Sequence, residues 1–117
     1  MGKTLQGVQK DRRIEEHPDT GHPLAGIAIP AWDQIVEMAA RCFEMTRLGY
    51  LGVDIVVDRE LGPLILELNA RPGLAIQIAN GSGLRHRLQA VAELGDPEMP
   101  VADRLAFCRQ KFRAGSQ

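Results

Sequence analysis

The chain has 117 residues, 44% of them hydrophobic, and a formal net charge of −1. That length suits one domain with a modest core, and the balanced charge offers no general pull toward nucleic acid or an anionic membrane. One Trp, one Tyr and three Phe leave little for a base-stacking platform, no apolar run is long enough to span a membrane, and the polar N-terminus carries no secretory signal.

In chain order, residues 4–8 read as a strand and residues 10–16 as a charged segment. His17-Pro18-Asp19-Thr20-Gly21-His22-Pro23 is dense in turn formers and reads as a loop. Its histidines and Asp19 are candidates for substrate contact, since loops beside a catalytic sheet often carry function. The plain alternative is a surface loop that caps itself through Asp and Thr side chains. Pro30 opens a helix running to about Arg47, with Ile35, Met38, Ala39, Cys42 and Met45 as its core stripe and Gly49 as its stop. Cys42 and Cys108 fall on apolar helix faces and read as buried free thiols of a reducing cytoplasm.

Residues 50–58 alternate as a strand, with Leu51, Val53, Ile55 and Val57 on one face and Gly52, Asp54, Val56 and Asp58 on the other. Residues 63–69 form a second strand, with Leu64, Leu66 and Leu68 opposed to Ile65, Glu67 and Asn69. The polar stretch Arg59-Glu60-Leu61-Gly62 suits a hairpin turn between them. Pairing Asp58 with Pro63 sets Val57 against Leu64, Val53 against Leu68, Asp54 against Glu67 and Gly52 against Asn69. A one-residue slip would split each apolar face across both sides of the sheet.

Opposed carboxylates destabilise a sheet, and partly buried ones require a proton or a cation. Two carboxylates and an amide carbonyl are hard oxygen donors suited to Mg²⁺ or Mn²⁺ and unsuited to zinc. The plain alternative is a solvated sheet face with scattered acids. Beyond the strand, Asn69-Ala70-Arg71-Pro72-Gly73 leads to a short helix over residues 74–80, which sets Arg71 beside helix N–H groups as an anion pocket. After Gly81-Ser82-Gly83 comes a helix over residues 84–93 with Leu84, Leu88, Val91 and Ala92 inward. Residues 95–100 are a linker, residues 101–112 a helix with Val101, Leu105, Cys108 and Phe112 on one side, and residues 114–117 a frayed end.

The run GYLGVDIVVDRELGPLILELNARPG (residues 49–73), with its D-x12-E-x-N-x2-P-G spacing, resembles the last catalytic hairpin of the ATP-grasp ligases. The fuller wording, together with HPDTGHPLAGIAIPAWD over residues 17–33, is similar to alpha-L-glutamate ligase-like members; a branch associated with sugar transfer or cell-surface polymers is the alternative. The resemblance spans roughly residues 3–94. It implies an α+β fold, the C-terminal part of an ATP-grasp domain, with an antiparallel sheet flanked by helices. Residues 1–94 would be the catalytic portion and residues 95–117 a linker and terminal helix. It implies that Asp54, Glu67 and Asn69 bind the magnesium (or manganese) of ATP, with Glu67 and Asn69 contacting the cofactor. Arg71 would stabilise phosphate or the tetrahedral intermediate, while Gly73 and His17 approach substrate. The reaction implied is ligation of a carboxylate to an amine through an acyl phosphate. Nucleotide lysines lie upstream of this hairpin in the family, and Lys3 and Lys10 match no such motif. The chain is therefore expected to lack activity alone, and a metal- or partner-binding module, self-associating through uncovered surface, is the alternative outside catalysis. Several relatives carry Arg where this chain has Gly52.

Overall fold

The structure, a computed structural model, describes residues 2–10 and 12–112; the expected frayed end lies outside them. Near the N-terminus, Lys3 bridges Ala28, and the Thr4 N–H donates to the Ile27 carbonyl at 3.0 Å. The Thr4 hydroxyl donates to the Leu24 carbonyl at 2.5 Å and accepts the Ile27 N–H at 2.9 Å, so one side chain clamps this crossing. The strand expected over residues 4–8 is therefore divided. Lys3 makes an isolated bridge, and β1 (Gly7–Gln9) pairs antiparallel with β2 (Arg12–Ile14), inside the segment read only as charged.

Helix α1 (Trp32–Thr46) begins two residues after Pro30 and ends where Arg47 turns left-handed (φ 59°), its N–H donating to the Phe43 carbonyl at 2.7 Å. The stop thus precedes Gly49, because the Arg47 backbone itself supplies the αL cap. Of the expected core stripe, Cys42 is fully buried and Ile35, Met38 and Ala39 are half-buried, but Met45 is 75% exposed because it sits in the last turn. Neither Cys42 nor Cys108 is in a disulfide.

Strands β3 (Gly52–Asp58) and β4 (Gly62–Asn69) form the second antiparallel ribbon. Helices α2 (Ala75–Asn80), α3 (Arg85–Leu94) and α4 (Val101–Lys111) follow, completing the expected α+β arrangement. Helix α4 packs on α1 through Arg104, which donates to the Ala40 carbonyl at 3.1 Å and the Met99 carbonyl at 3.0 Å, pairs with Glu44 and lies 5.3 Å over the Phe43 ring. Arg109 pairs with Asp33 at 2.8 Å across the same contact. On α3 the expectation fails. Leu88 and Val91 are 45% and 46% exposed and Ala92 is exposed, while Leu84 is half-buried and Ala90 is the buried residue; Val91 and Ala92 line an open groove toward α1 instead of packing against it.

Burial is sparse. Among the described residues only Cys42, Pro63 and Ala90 are buried, and the accessible surface is 9012 Å². A compact monomer of this mass would expose about 6,300 Å².

Candidate metal and nucleotide site

The hairpin that carries the acids is built from its turn outward. The Asp58 carboxylate accepts the backbone N–H groups of Glu60 (2.8 Å) and Leu61 (2.9 Å), and Gly62 takes φ 76°. An Asx turn followed by a left-handed glycine closes the loop in three residues, where the sequence suggests four. Asp58 therefore pairs with Gly62 and Val57 with Pro63, replacing the expected Asp58–Pro63 and Val57–Leu64 pairs. The same two N–H groups, Leu61 first, hold the Asp58 carboxyl below the usual carboxylate range.

A turn one residue shorter would set Asp54 against Leu66 and turn Glu67 to the other face. The ribbon avoids this with a β-bulge. Ile55 pairs with Ile65, Leu66 is left over, and the register resumes with Asp54 opposite Glu67, Val53 opposite Leu68 and Gly52 opposite Asn69. The acid pairing expected from alternation is present, by a route that alternation does not reveal. Between bulge and turn the faces of β4 exchange. Leu64 joins the acid side opposite Val56, Ile65 and Pro63 join the apolar side, and Leu66 is 67% exposed.

Asp54, Glu67, Asn69, Arg71, Gly73 and His17 are all exposed. The acids are not pressed into an apolar surface, so burial does not force a cation between them. Beyond β4 the chain folds back. Asn69 Oδ1 accepts the Arg71 N–H at 2.9 Å, and Pro72 packs on Gly52, where a Cβ would lie 3.0 Å from the Pro72 Cβ and 3.6 Å from the Asn69 Cβ. Pro72 thus occupies the face shared with Asp54 and Glu67, at its Gly52 end. This contact also accounts for a glycine at position 52. A Cβ on Gly73 would meet open space, so no protein neighbour requires glycine there.

The Asn69 turn holds the Arg71 backbone just beyond β4. His17 is held within its own loop. Its Nδ1 accepts the Asp19 N–H at 3.2 Å, its N–H donates to the His22 carbonyl at 2.9 Å, and its carbonyl accepts the Gly21 N–H at 2.8 Å. No hydrogen bond among the described residues joins this loop to Asp54, Glu67, Asn69 or Arg71. An apolar groove of about 430 Å³ lies elsewhere, between α1, α3 and the 95–97 linker, lined by Phe43, Leu51, Val91, Leu94, Pro97 and Arg104 among others.

The donor set fits a hard divalent cation in kind: two carboxylates directly opposed, and an amide oxygen with one lone pair left after accepting the Arg71 N–H. Among the described residues no group of three or more His, Cys, Asp or Glu side chains could hold a metal ion, so such a site would rest on Asn69 and on ligand oxygens.

A family model described as sugar-transfer associated ATP-grasp matches residues 1–93. The chain belongs to this ATP-grasp family. ATP binding and the use of a divalent metal belong to the superfamily in general. The match names the sugar-transfer branch and does not reach the alpha-L-glutamate ligase-like level. No curated protein and no solved structure matches the chain. No helix among the described residues is long and apolar enough to cross a membrane.

Proposed function

We propose that this chain carries the metal-binding end of an ATP-dependent carboxylate–amine ligase site. The observation that carries the reading is the bulged register, which spends an extra residue and leaves Asp54 opposite Glu67. Asp54, Glu67 and the free lone pair of Asn69 would hold Mg²⁺ or Mn²⁺, with Glu67 and Asn69 nearest the nucleotide. Bound there, the cation would neutralise triphosphate charge. Arg71, whose backbone N–H is held by Asn69, would bind the phosphate or the oxyanion of the tetrahedral intermediate through its guanidinium. The open space at Gly73 leaves its backbone accessible to a carboxylate substrate. His17 would contact substrate from the 17–23 loop.

The ligation would run through an acyl phosphate attacked by an amine. The sugar-transfer description favours an acceptor in polymer or glycan assembly over free glutamate. Residues 1–94 would form the catalytic portion, residues 95–117 a linker and an α4 that braces α1, and the working compartment would be the cytoplasm. A second reading, a divalent-metal or partner-binding module without catalysis, is favoured by the large exposed surface. Calorimetry separates the two. A Mn²⁺ signal that needs ATP and is lost in Glu67→Gln supports the ligase site. Metal binding indifferent to ATP supports the metal-binding module, and no binding by the folded wild type overturns the metal site in either reading.

A further inference from the structure

Two registers of the β3–β4 ribbon keep Asp54 opposite Glu67, and only one of them is bulged. In the observed register the short turn sets Asp58 against Gly62, Val56 against Leu64 and Ile55 against Ile65, and Leu66 is the spare residue. In the other, the loop takes in Gly62. Asp58 then meets Pro63, Val57 meets Leu64, Val56 meets Ile65 and Ile55 meets Leu66, and no residue is spare. The two differ by a one-residue slide of the turn half of β4 past β3. Every group that the slide re-pairs lies between Asp54 and Glu67.

Each register leaves one demand unmet. The observed one breaks the ladder and leaves Leu66 exposed. The bulge-free one returns Leu66 and Leu64 to the face of Val53, Ile55 and Val57, in exchange for Ile65 and the buried Pro63. What it lacks is the Asx turn. The Asp58 carboxylate accepts the Glu60 and Leu61 N–H groups at 2.8 and 2.9 Å. Among the described residues no other hydrogen bond outside the ladder reaches residues 59–61, so nothing else of that kind fixes the loop. We propose that Asp58 holds the bulge at Leu66. Without its side-chain oxygen the turn half of the ribbon slides by one residue into the bulge-free register, while Asp54 stays opposite Glu67. The slide turns residues 63–65 over. Leu64 leaves the acid face opposite Val56 and Ile65 takes its place, so the wall beside the acid pair changes and the pair itself does not.

The test is the pattern of cross-strand backbone contacts in NMR spectra of the 117-residue chain, which needs no metal and so stands apart from the metal reading. Wild type shows Ile55 against Ile65 and Val56 against Leu64. In Asp58→Ala the contacts Ile55 with Leu66 and Val56 with Ile65 become the major set, a shift in the ratio of at least about tenfold for the loss of two hydrogen bonds. Asp58→Asn keeps the wild-type set, because its side-chain oxygen still accepts both N–H groups. Deletion of Leu66 removes the spare residue and leaves Asp54 opposite Glu67 on an unbulged ladder. The deletion decides the matter where Asp58→Ala does not fold, since the longer loop would there set Asp54 against Leu68. The proposal is overturned by a bulge-free wild type, by wild-type contacts retained in Asp58→Ala, or by a slide in Asp58→Asn. A slide that carries Asp54 off Glu67, or Asp54 opposite Leu68 in the deletion, overturns it equally.

Discussion

Asp54 stands directly across the β3–β4 ladder from Glu67, and the next pair toward the turn, Ile55 with Ile65, has already slipped by one residue. The hairpin therefore reconciles two demands that conflict. The Asp58 turn dictates one register, the acids occupy the other, and Leu66 takes up the difference.

Like charges at opposed positions cost stability when nothing lies between them. Asp54→Asn or Glu67→Gln should accordingly stabilise the metal-free chain by about 0.5 kcal/mol in urea unfolding. The same changes should weaken Mn²⁺ binding in the presence of ATP at least about tenfold. A variant that loses both stability and binding would point to a structural role for the acids.

Alternation placed Asp54 on one face of its strand and Glu67 with Asn69 on one face of the next, and their expected pairing is present because the Leu66 bulge offsets the shorter turn. The turn was not legible to the same degree. Whether a loop closes in three residues or four depends on whether Asp58 accepts the Glu60 and Leu61 N–H groups, and a side-chain hydrogen bond leaves no periodicity. The packing of Pro72 on Gly52 was half visible. Asn69 opposite a residue without a side chain implies a vacant spot, but not which group fills it. On α3, amphipathic spacing marked Leu88 and Val91 correctly as apolar. Spacing cannot say whether a partner surface exists, and here both remain exposed.

The Asp58 turn has a pH signature. Its carboxyl is held low in the folded chain by the Leu61 and Glu60 N–H groups, so its contribution is fully present above the unfolded Asp value of about 3.9 and is lost as pH falls through the lower folded value. Asp58→Ala should remove that part of the acid limb. An unchanged acid limb in the variant would show that the turn does not depend on the ionised carboxylate.

Gly52→Ala should displace Pro72, since the added Cβ would lie 3.0 Å from the Pro72 Cβ. The expected result is chemical-shift change at residues 69–73 with the Asp54–Glu67 pairing retained. Because Pro72 is held on an open surface, the stability loss should be about 1 kcal/mol, the low end for overpacking.

Arg104 ties α4 to α1 with its side chain 18% exposed. Arg104→Ala should cost about 2 kcal/mol through the lost bonds to the Ala40 and Met99 carbonyls. Arg104→Lys should recover little, because an ammonium cannot reproduce the fork. Faster amide exchange confined to α4 is the expected readout.

The most direct measurement is Mn²⁺ paramagnetic broadening of the ¹⁵N-labelled chain in the presence of ATP. The account predicts that the amides of Asp54, Glu67, Asn69 and Arg71 broaden first, at Mn²⁺ levels that spare the 17–22 loop and the 58–62 turn, and that Glu67→Gln abolishes the effect. Broadening centred on any other cluster of carboxylates, or none at all in the folded wild type, would contradict it.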